Sequence, residues 1–403
     1  MKCRFCSHEV HHVFIDLVNA PPSNAYLTFD QLDEPEVFYP LKVLVCEQCF
    51  LVQVDEYKKS DEIFDADYAY FSSMSSSWVE HARNYVEMIT DKHKLNANSH
   101  VIEIASNDGY LLQFFKSKNI PCLGIEPTKS TADVARSKGI TVIEDFFGQK
   151  LAGTLQKADV ILGNNVLAHV PDINDFVKGL KVTLKHDGVI TMEFPHLLNL
   201  IEKSQFDTVY HEHFSYLSLM TTMDVFKAHG LQVYDVEELV THGGSLRIYA
   251  THIENAISIA PNINAVLQKE ISANLNTLDG YEGFQKKANK IKYDFLNFLL
   301  DAKAQNKKVI GYGAAAKGNT LLNYCGIKND LIDFVVDKAP LKVDKYLPGS
   351  HIPIVIEESI KKLKPDFVII FPWNIKEEII HQLDYIREWG GQFVVTIPSL
   401  EIL

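Results

Sequence analysis

Apolar residues follow two alternating spacings along most of the chain, one typical of strands and one typical of helices. From residue 75 the order is helix SSSWVEHARNYVEMI, strand HVIEIAS, helix GYLLQFFKS, strand PCLGIEP, helix STADVARSKG and strand ITVIEDFF. The alternation resumes in ADVILGNNV, DINDFVKGLKVTL and GVITMEFP. Strands that alternate with helices predict an α/β domain with a parallel sheet and helices on both faces.

Three further runs extend this pattern. LQVYDVEEL and GGSLRIYATH are too close in sequence for a helical crossover, so they predict an antiparallel pair at one edge. The segment 280–305 carries Phe284, Ile291, Phe295 and Phe298 on one face, which predicts a helix packed between domains. The alternation restarts at KKVIGYGAAAKGN, which predicts a second α/β domain.

Residues 1 to about 60 show no helical period and contain two C-x-x-C pairs. Cys3 and Cys6 form one pair, and Cys46 and Cys49 form the other after a gap of 39 residues. Two such pairs supply the four thiolates of a tetrahedral zinc site, in which no position is left for water. We therefore expect structural zinc in a small module; redox or buried thiols are the alternative.

Charge and composition limit the class of partner. The 403 residues carry a formal net charge of −13, which disfavours a nucleic-acid partner. No run of 18 uncharged apolar residues is present, so we expect no membrane span. The start MKCRFCSHEV has no apolar segment typical of a signal peptide, and we expect a cytoplasmic protein. The pattern leaves the oligomeric state open, and a monomer is compatible with it.

The run VIEIASNDGY predicts a cofactor loop between a strand and a helix. The loop extends from Glu103 to Gly109, and Glu126 ends the next strand. A carboxylate there can accept the hydroxyls of an adenosine ribose, in S-adenosylmethionine and dinucleotide enzymes alike. The single glycine favours S-adenosylmethionine over a pyrophosphate, although an ordinary α/β turn remains the alternative. Polar residues at later strand ends should lie at the same edge: Asn164, Asn165, His169, Glu193 and His196.

The stretch TVYHEHFSYLS, residues 208–218, has three interpretations. His211, Glu212 and His213 could ligate a metal, the segment could be a polar loop, or a histidine could act in acid–base chemistry. If the segment is helical, Tyr210 and His213 share a face. Histidine titrates near neutral pH and can remove a proton without a metal, which favours the acid–base site.

The C-terminal run VIGYGAAAKGN contains a dinucleotide fingerprint. Gly311, Gly313 and Ala316 match G-x-G-x-x-A after a strand, and Asp337 ends the next strand. This pattern keeps an NAD-dependent nucleotide-sugar oxidoreductase as an alternative. The same loop could hold a nucleotide diphosphate, with Lys317 near its charge.

Taken together, the motifs resemble one family. The series CRFC…CEQC, YAYFSSMSSSW, EIASNDGY, GIEP, NNVLAHV, EFPH, YHEHFSY, HGGSLRIY, GYGAAAKGN and FPWN is similar to S-adenosylmethionine-dependent sugar C-methyltransferases, including the tetronitrose C-methyltransferase. These enzymes act on thymidine-diphosphate-linked 4-keto-deoxysugars. The resemblance implies a zinc-binding module over 1–66, a class I (Rossmann-like) methyltransferase domain over 67–255, and a helical connector with a Rossmann-like substrate-binding domain over 256–403.

The resemblance also implies roles for residues. His213 would be the base, with Tyr210 and Glu212 beside it, His169 near the sugar, and Tyr70, favoured over Tyr68, closing the pocket. Glu126 would hold the cofactor ribose. The remaining candidate residues for cofactor binding are Glu103, Ala105, Ser106, Asn107, Gly109, Asn164 and Asn165. Ala105 and Ser106 stand where many methyltransferases have glycine.

The implied chemistry is the removal of a proton from the ring carbon next to a ketone. A neutral His213 can do this if Tyr210 or His169 stabilises the enolate oxygen, and the enolate then attacks the sulfonium methyl group. The substrate diphosphate needs local cations, for which Arg247 and Lys317 are candidates beside His196 and Tyr68. Arg247 could equally be a solvated strand residue. A non-catalytic zinc scaffold is the remaining alternative.

Overall fold

The computed structural model describes residues 1–57 and 71–403. The strands are β1 His12–Ala20, β2 Tyr39–Val45, β3 Val52–Val54, β4 Val101–Ile104, β5 Cys122–Ile125, β6 Thr141–Ile143, β7 Ala158–Asn164, β8 Leu184–Pro195, β9 Ser215–Tyr216, β10 Leu231–Leu239, β11 Ser245–His252, β12 Val309–Tyr312, β13 Val335–Val336, β14 Ile354–Val355, β15 Phe367–Ile370, β16 Gln392–Val395 and β17 Glu401–Ile402. The α-helices are α1 Ser76–His93, α2 Leu112–Ser117, α3 Lys129–Ser137, α4 Gln149–Ala152, α5 Ile173–Thr183, α6 Leu197–Glu202, α7 Leu219–Ala228, α8 Pro261–Ser272, α9 Phe284–Ala304, α10 Ala316–Cys325, α11 Glu358–Leu363 and α12 Lys376–Gln382.

The central sheet has the strand order β10-β11-β8-β7-β4-β5-β6. Strands β8, β7, β4, β5 and β6 are parallel, and β11 lies antiparallel between β8 and β10. The predicted parallel sheet and its antiparallel edge pair are therefore confirmed. The chain moves outward from β4 to β6 and then returns to β7 on the other side of β4. Ligands of such sheets bind at the carboxyl ends of the strands at this switch point.

The C-terminal sheet is a second α/β layer with the order β14-β13-β12-β15-β16-β17. Its strands are parallel except β17, which is antiparallel to β16. Strand β12 lies inside this sheet, and the loop after it holds the predicted fingerprint. The same switch-point geometry is thus repeated, and the α/β fold class with two such sheets is confirmed.

The N-terminal sheet is antiparallel and takes a strand from the middle of the chain. Its order is β1-β2-β3-β9, and β9 belongs to the histidine-rich stretch. Val52 pairs with Tyr216 and Gln53 with Ser215. A module of this size buries too little apolar surface to be stable alone, so an added strand and a shared core compensate. The histidine-rich stretch is therefore part of the zinc module's sheet.

Helix α9 joins the N-terminal sheet to the C-terminal one. Phe14 of β1 stacks on Phe284 with ring centroids 4.6 Å apart, and Phe298 meets Phe367 of β15 edge-on at 5.0 Å. Ile291 and Phe295 are buried on the same helix. The predicted packing of this helix between domains is confirmed. Across the described ranges, 1–57 and 71–403, no helix is both long and apolar enough to span a membrane.

Candidate active site

The four cysteines of the N-terminal module converge on one point. Cys3 Sγ lies 3.5 Å from Cys49 Sγ, Cys6 Sγ lies 3.6 Å from Cys46 Sγ, and all four sulfurs lie within 4.8 Å of one another. Zinc–sulfur bonds of about 2.3 Å separate tetrahedral sulfurs by about 3.8 Å, whereas a disulfide is about 2.0 Å long. The donor set therefore fits a structural zinc ion.

The zinc site is connected to the histidine-rich stretch through Gln53. Its Nε2 donates to Cys3 Sγ at 3.3 Å, and its backbone pairs with Ser215 of β9. Groups that hydrogen-bond to metal ligands orient them and tune the site. The zinc module thus supports the strand that directly follows His213.

The cofactor loop after β4 is held by Glu126. Its Oε2 accepts the Asn107 backbone N–H at 2.9 Å, and its Oε1 accepts the Thr128 backbone N–H at 3.0 Å. Ala105 and Asn107 have φ values of 57° and 49°, in the left-handed region that disfavours residues other than glycine. The hydrogen bond from the Asn107 N–H to Glu126 compensates for the cost of this backbone conformation at Asn107.

The same loop gathers carboxylates, as a cationic cofactor requires. Glu103 is completely buried, and burial together with the charges of Asp108 and Glu126 raises its pKa well above the usual range. Within residues 1–57 and 71–403, neither Glu103 carboxylate oxygen nor Ser106 Oγ has a hydrogen-bond partner. Buried polar groups of this kind are normally satisfied. The loop therefore fits S-adenosylmethionine, whose ammonium and sulfonium groups would supply donors and positive charge.

The histidine-rich stretch forms a turn rather than a continuous strand. The His213 N–H donates to the Tyr210 carbonyl at 3.0 Å, and the two rings lie 4.1 Å apart. His169 is the last residue of the short turn that follows β7. Its ring centroid lies 4.6 Å from that of His213. His213 Nδ1 lies 3.0 Å from the Thr208 carbonyl oxygen, so Nδ1 carries the proton. Nε2 is then left with the lone pair that a base needs.

The surroundings of His213 keep its imidazole neutral. Burial, and then the proximity of His169, lower its pKa well below the usual 6.5, and Lys317 and His242 act in the same direction. Burial also lowers the pKa of His169 to about 4. At pH 7 both rings are therefore neutral. Of the three interpretations of this stretch, the geometry favours the acid–base site.

The neighbours of His213 in sequence point to different partners. His211 Nε2 donates to the Pro40 carbonyl at 3.1 Å, and Glu212 Oε1 accepts from Asn24 Nδ2 at 2.7 Å. The side chains of His211, Glu212 and His213 thus diverge from one another. This divergence argues against the alternative in which they ligate one metal ion.

A polar cluster lies where β7 ends. Asn164 Nδ2 donates to the Tyr110 hydroxyl at 3.3 Å, and Asn165 Nδ2 lies 2.8 Å from His242 Nε2. Trp78 contacts His242 edge-on at 5.0 Å. The sequence pattern did not reveal Trp78, Tyr110 or His242, because each belongs to a different element and only the fold brings them together.

Comparison with known proteins assigns the family. A family model of a methyltransferase zinc binding domain matches residues 3–64, a methyltransferase domain model matches 79–236, and a C-methyltransferase C-terminal domain model matches 240–398. The chain is 31% identical to C-methyltransferase NovU of Streptomyces niveus, over all of this chain and 96% of that protein. The chain belongs to the S-adenosylmethionine-dependent C-methyltransferase family.

Two further comparisons cover less than half of this C-methyltransferase. An ubiquinone biosynthesis O-methyltransferase of Actinobacillus pleuropneumoniae serotype 7 is 28% identical over 30% of this chain and 60% of its own length. The structure of magnesium protoporphyrin IX methyltransferase from Synechocystis PCC 6803, with bound SAH, matches with a TM-score of 0.36 and 13% identity, covering 43% of this chain and 83% of that one.

Two of the predicted substrate-binding residues, Arg247 and His196, bind glutamate side chains inside the C-methyltransferase. Arg247 is buried and donates to Glu193 at 2.7 Å and Glu237 at 3.1 Å. Burial of Glu193 opposes its ionisation, but the hydrogen bond from His81 and the charge of Arg247 hold its pKa at about 2. The charge of Arg247 is therefore matched within the protein, so the structure gives it a role in the sheet rather than on the substrate.

His196 likewise lies in the interior. Its Nε2 is 2.7 Å from Glu270 Oε1, and both side chains are buried. Glu270 also accepts the backbone N–H groups of Leu219 and Met220 at the start of α7. The pair thus joins α6, α7 and α8. This buried position does not support the predicted contact of His196 with the substrate.

Side chains of the protein itself bind the backbone of the C-terminal fingerprint loop. Asp337 accepts the backbone N–H groups of Ala314 at 2.7 Å and Ala339 at 2.8 Å. The hydroxyl of Tyr26, from the N-terminal module, donates to the Ala314 carbonyl at 2.6 Å. Asp337 therefore fixes the C-terminal loop in the same way that Glu126 fixes the loop after β4.

Lys317 lies in the first turn of α10 in the C-terminal domain. Its Nζ donates to Asn374 Oδ1 at 2.8 Å and lies 4.4 Å from the ring centroid of Trp373. Burial lowers its pKa to about 8, against the charge of Asp207, so it is mostly protonated at pH 7. Tyr68 and Tyr70, the remaining predicted site residues, lie outside the described residues.

Replacing Glu126 with alanine should weaken binding of S-adenosylmethionine by about 10- to 100-fold, the equivalent of one or two charge-assisted hydrogen bonds. The change removes the acceptor that fixes Asn107 and Thr128 and the proposed partner of the ribose. Isothermal titration calorimetry measures the effect. Glu144→Ala, at an exposed ion pair with Arg136, should leave the affinity unchanged. Equal affinity in Glu126→Ala and wild type would contradict this assignment.

Proposed function

We propose that this C-methyltransferase transfers a methyl group to C-3, next to the ketone, of a dTDP-linked 4-keto-deoxysugar, in the biosynthesis of branched deoxysugars. The observation that carries the proposal is the arrangement of His213: a buried, neutral imidazole with Nδ1 bound to the Thr208 carbonyl. Such a base can remove the proton from a carbon next to a ketone, and the match to C-methyltransferases favours carbon over oxygen or nitrogen as the methylated atom.

In the proposed reaction His213 Nε2 accepts the proton from the substrate carbon. The electron pair of the broken C–H bond moves toward the ketone, whose oxygen becomes an enolate. We propose that Tyr210, whose ring centroid lies 4.1 Å from that of His213, stabilises that oxygen by hydrogen bonding, with His169 beside the sugar. The loop after β4 and Glu126 would hold S-adenosylmethionine, which would supply the electrophilic methyl group: as the bond from C-3 to the methyl carbon forms, the methyl–sulfur bond breaks, S-adenosylhomocysteine leaves and the ketone re-forms.

The positive charge of Lys317 acts on both partners of this step. It lies close enough to His213 to help lower the pKa of that ring, which keeps the base unprotonated before reaction. The same charge favours the developing enolate. Because Arg247 is neutralised by Glu193 and Glu237, we also favour Lys317 as the counter-charge to the diphosphate.

Three parts of the chain contribute to the proposed sugar pocket. Glu212, beside the base, is bound by Asn24 of the N-terminal module. Lys317 comes from the C-terminal domain, and His169 follows the central strand β7. We propose that Glu212 contacts the amine or hydroxyl of the sugar, and that Tyr70 or Tyr68 covers the pocket. This placement between domains is typical of small-molecule sites.

Product analysis tests the function. The enzyme should convert a dTDP-4-keto-deoxysugar and ¹³C-methyl S-adenosylmethionine into a product with one additional methyl group. NMR should place the labelled methyl on a ring carbon that carries no hydrogen, because C-3 loses its proton before transfer. A labelled methyl on oxygen or nitrogen, or turnover only of sugars that lack a ketone, would contradict the proposal.

A further inference from the structure

The FPWN motif near the end of the chain has no role in the reaction as described so far. Its tryptophan, Trp373, follows β15 and is buried against the central domain. The indole Nε1 donates to Asp207 Oδ2 at 2.7 Å. Trp373 therefore connects the C-terminal domain to the segment that leads into the histidine-rich stretch.

Asp207 lies one residue before the carbonyl that orients the base. Asp207 and Thr208 belong to the 3-10 turn Phe206–Thr208, and the Thr208 oxygen accepts His213 Nδ1 at 3.0 Å. On the other side, the Val209 carbonyl accepts the Thr320 hydroxyl of α10 at 2.8 Å. The peptide that orients His213 is thus anchored to the C-terminal domain on both sides.

The indole itself has little freedom to move. Lys317 Nζ lies 4.4 Å from its ring centroid and is held there by Asn374. Gly243, in the turn next to His242, has a φ of 87°, and a Cβ added to it would lie 2.4 Å from Trp373 Cη2. The ring therefore fills the space between the turns 206–208 and 241–243.

We propose that Trp373 is a positioning residue for the catalytic base: through Asp207 it fixes the Thr208 carbonyl, and thereby the direction of His213 Nε2. The inference rests on the proposed role of His213. It gives the C-terminal domain a part in catalysis separate from substrate binding. A small reorientation of a base costs rate without loss of binding, since proton transfer depends steeply on geometry.

The test compares two tryptophans of the same domain. Trp373→Phe keeps an aromatic ring but removes the N–H donor, and should lower kcat about 10- to 100-fold, the scale of a misplaced catalytic group. The affinity for S-adenosylmethionine, measured by calorimetry, should not change. Trp389 Nε1 donates to the Pro365 carbonyl at 3.0 Å at the far side of the domain, so Trp389→Phe should keep the wild-type kcat.

A double-mutant cycle separates positioning from general loss of packing. Asp207→Ala should reduce kcat as much as Trp373→Phe, and the double variant should be no slower than either single one, because one hydrogen bond is removed in all three. Asp207→Asn keeps an oxygen acceptor and should recover most of the rate. If a variant does not fold, Thr320→Val removes the second anchor and should lower kcat in the same way.

Three outcomes would overturn the inference: a wild-type kcat in Trp373→Phe, independent and multiplicative losses in the cycle, or a wild-type kcat in Thr320→Val. His213→Ala distinguishes these from failure of the proposed function. If His213→Ala abolishes turnover while Trp373→Phe does not, only the positioning role is wrong. If His213→Ala turns over normally, the proposed base is wrong.

Discussion

Replacement of His213 by alanine should reduce kcat by about three orders of magnitude, within the range of 10²–10⁴ for a general base. The variant has no group at the position of Nε2 that could accept the proton from the substrate carbon. The cofactor loop after β4 does not depend on this ring, so the dissociation constant for S-adenosylmethionine should stay within about twofold of the wild type. Steady-state methyl transfer and calorimetry measure the two quantities.

His211 provides the matched control for this variant. It belongs to the same stretch, but its Nε2 donates to the Pro40 carbonyl and its ring meets Tyr39. His211→Gln keeps a donor for that carbonyl, and its kcat should remain within a few-fold of the wild type. Comparable losses in the His211 and His213 variants would show that the segment, rather than the imidazole at 213, is what the reaction requires.

Replacement of Cys46 by serine should remove the zinc and inactivate the enzyme. Structural zinc contributes about 10 kcal/mol or more of binding energy in small zinc domains, so we expect the N-terminal sheet to unfold without it. Strand β9 pairs with β3 in that sheet and directly follows His213. Loss of methyl transfer should therefore accompany loss of zinc, measured by atomic emission, and a lower melting temperature.

Cys122 makes the same chemical change testable outside the zinc site. It begins β5 in the central sheet and lies apart from the four clustered cysteines. Cys122→Ser should retain the wild-type zinc content and most of the activity. Full activity in zinc-free Cys46→Ser would contradict the structural role of the metal.

The parts of the fold that depend on short sequence spacing could be predicted. The two C-x-x-C pairs predict a four-cysteine zinc site, and the alternation of strands and helices predicts a parallel central sheet. The pairing of β3 with β9 could not be predicted, because 161 residues of unrelated pattern separate Gln53 from Ser215. Such long-range pairing leaves no local periodicity.

The candidate site shows the same limit at the level of side chains. The cofactor loop and the histidine-rich stretch could be proposed as parts of the site because their residue types carry chemistry. Arg247 and His196 have equally suggestive types, but each is bound to a buried glutamate, Glu193 and Glu270 respectively. Whether a charged residue serves a ligand or another side chain depends on tertiary neighbours. For the same reason the sequence did not predict the contact of Trp373 with Asp207.

Exchange of the C-3 hydrogen with solvent tests the central claim most directly. In deuterium oxide, with S-adenosylhomocysteine replacing the methyl donor, wild-type enzyme and His211→Gln should incorporate deuterium at C-3 of the 4-keto-deoxysugar, followed by NMR. His213→Ala should show no incorporation above the enzyme-free rate, because no base removes the proton. Incorporation by His213→Ala at the wild-type rate would contradict the account.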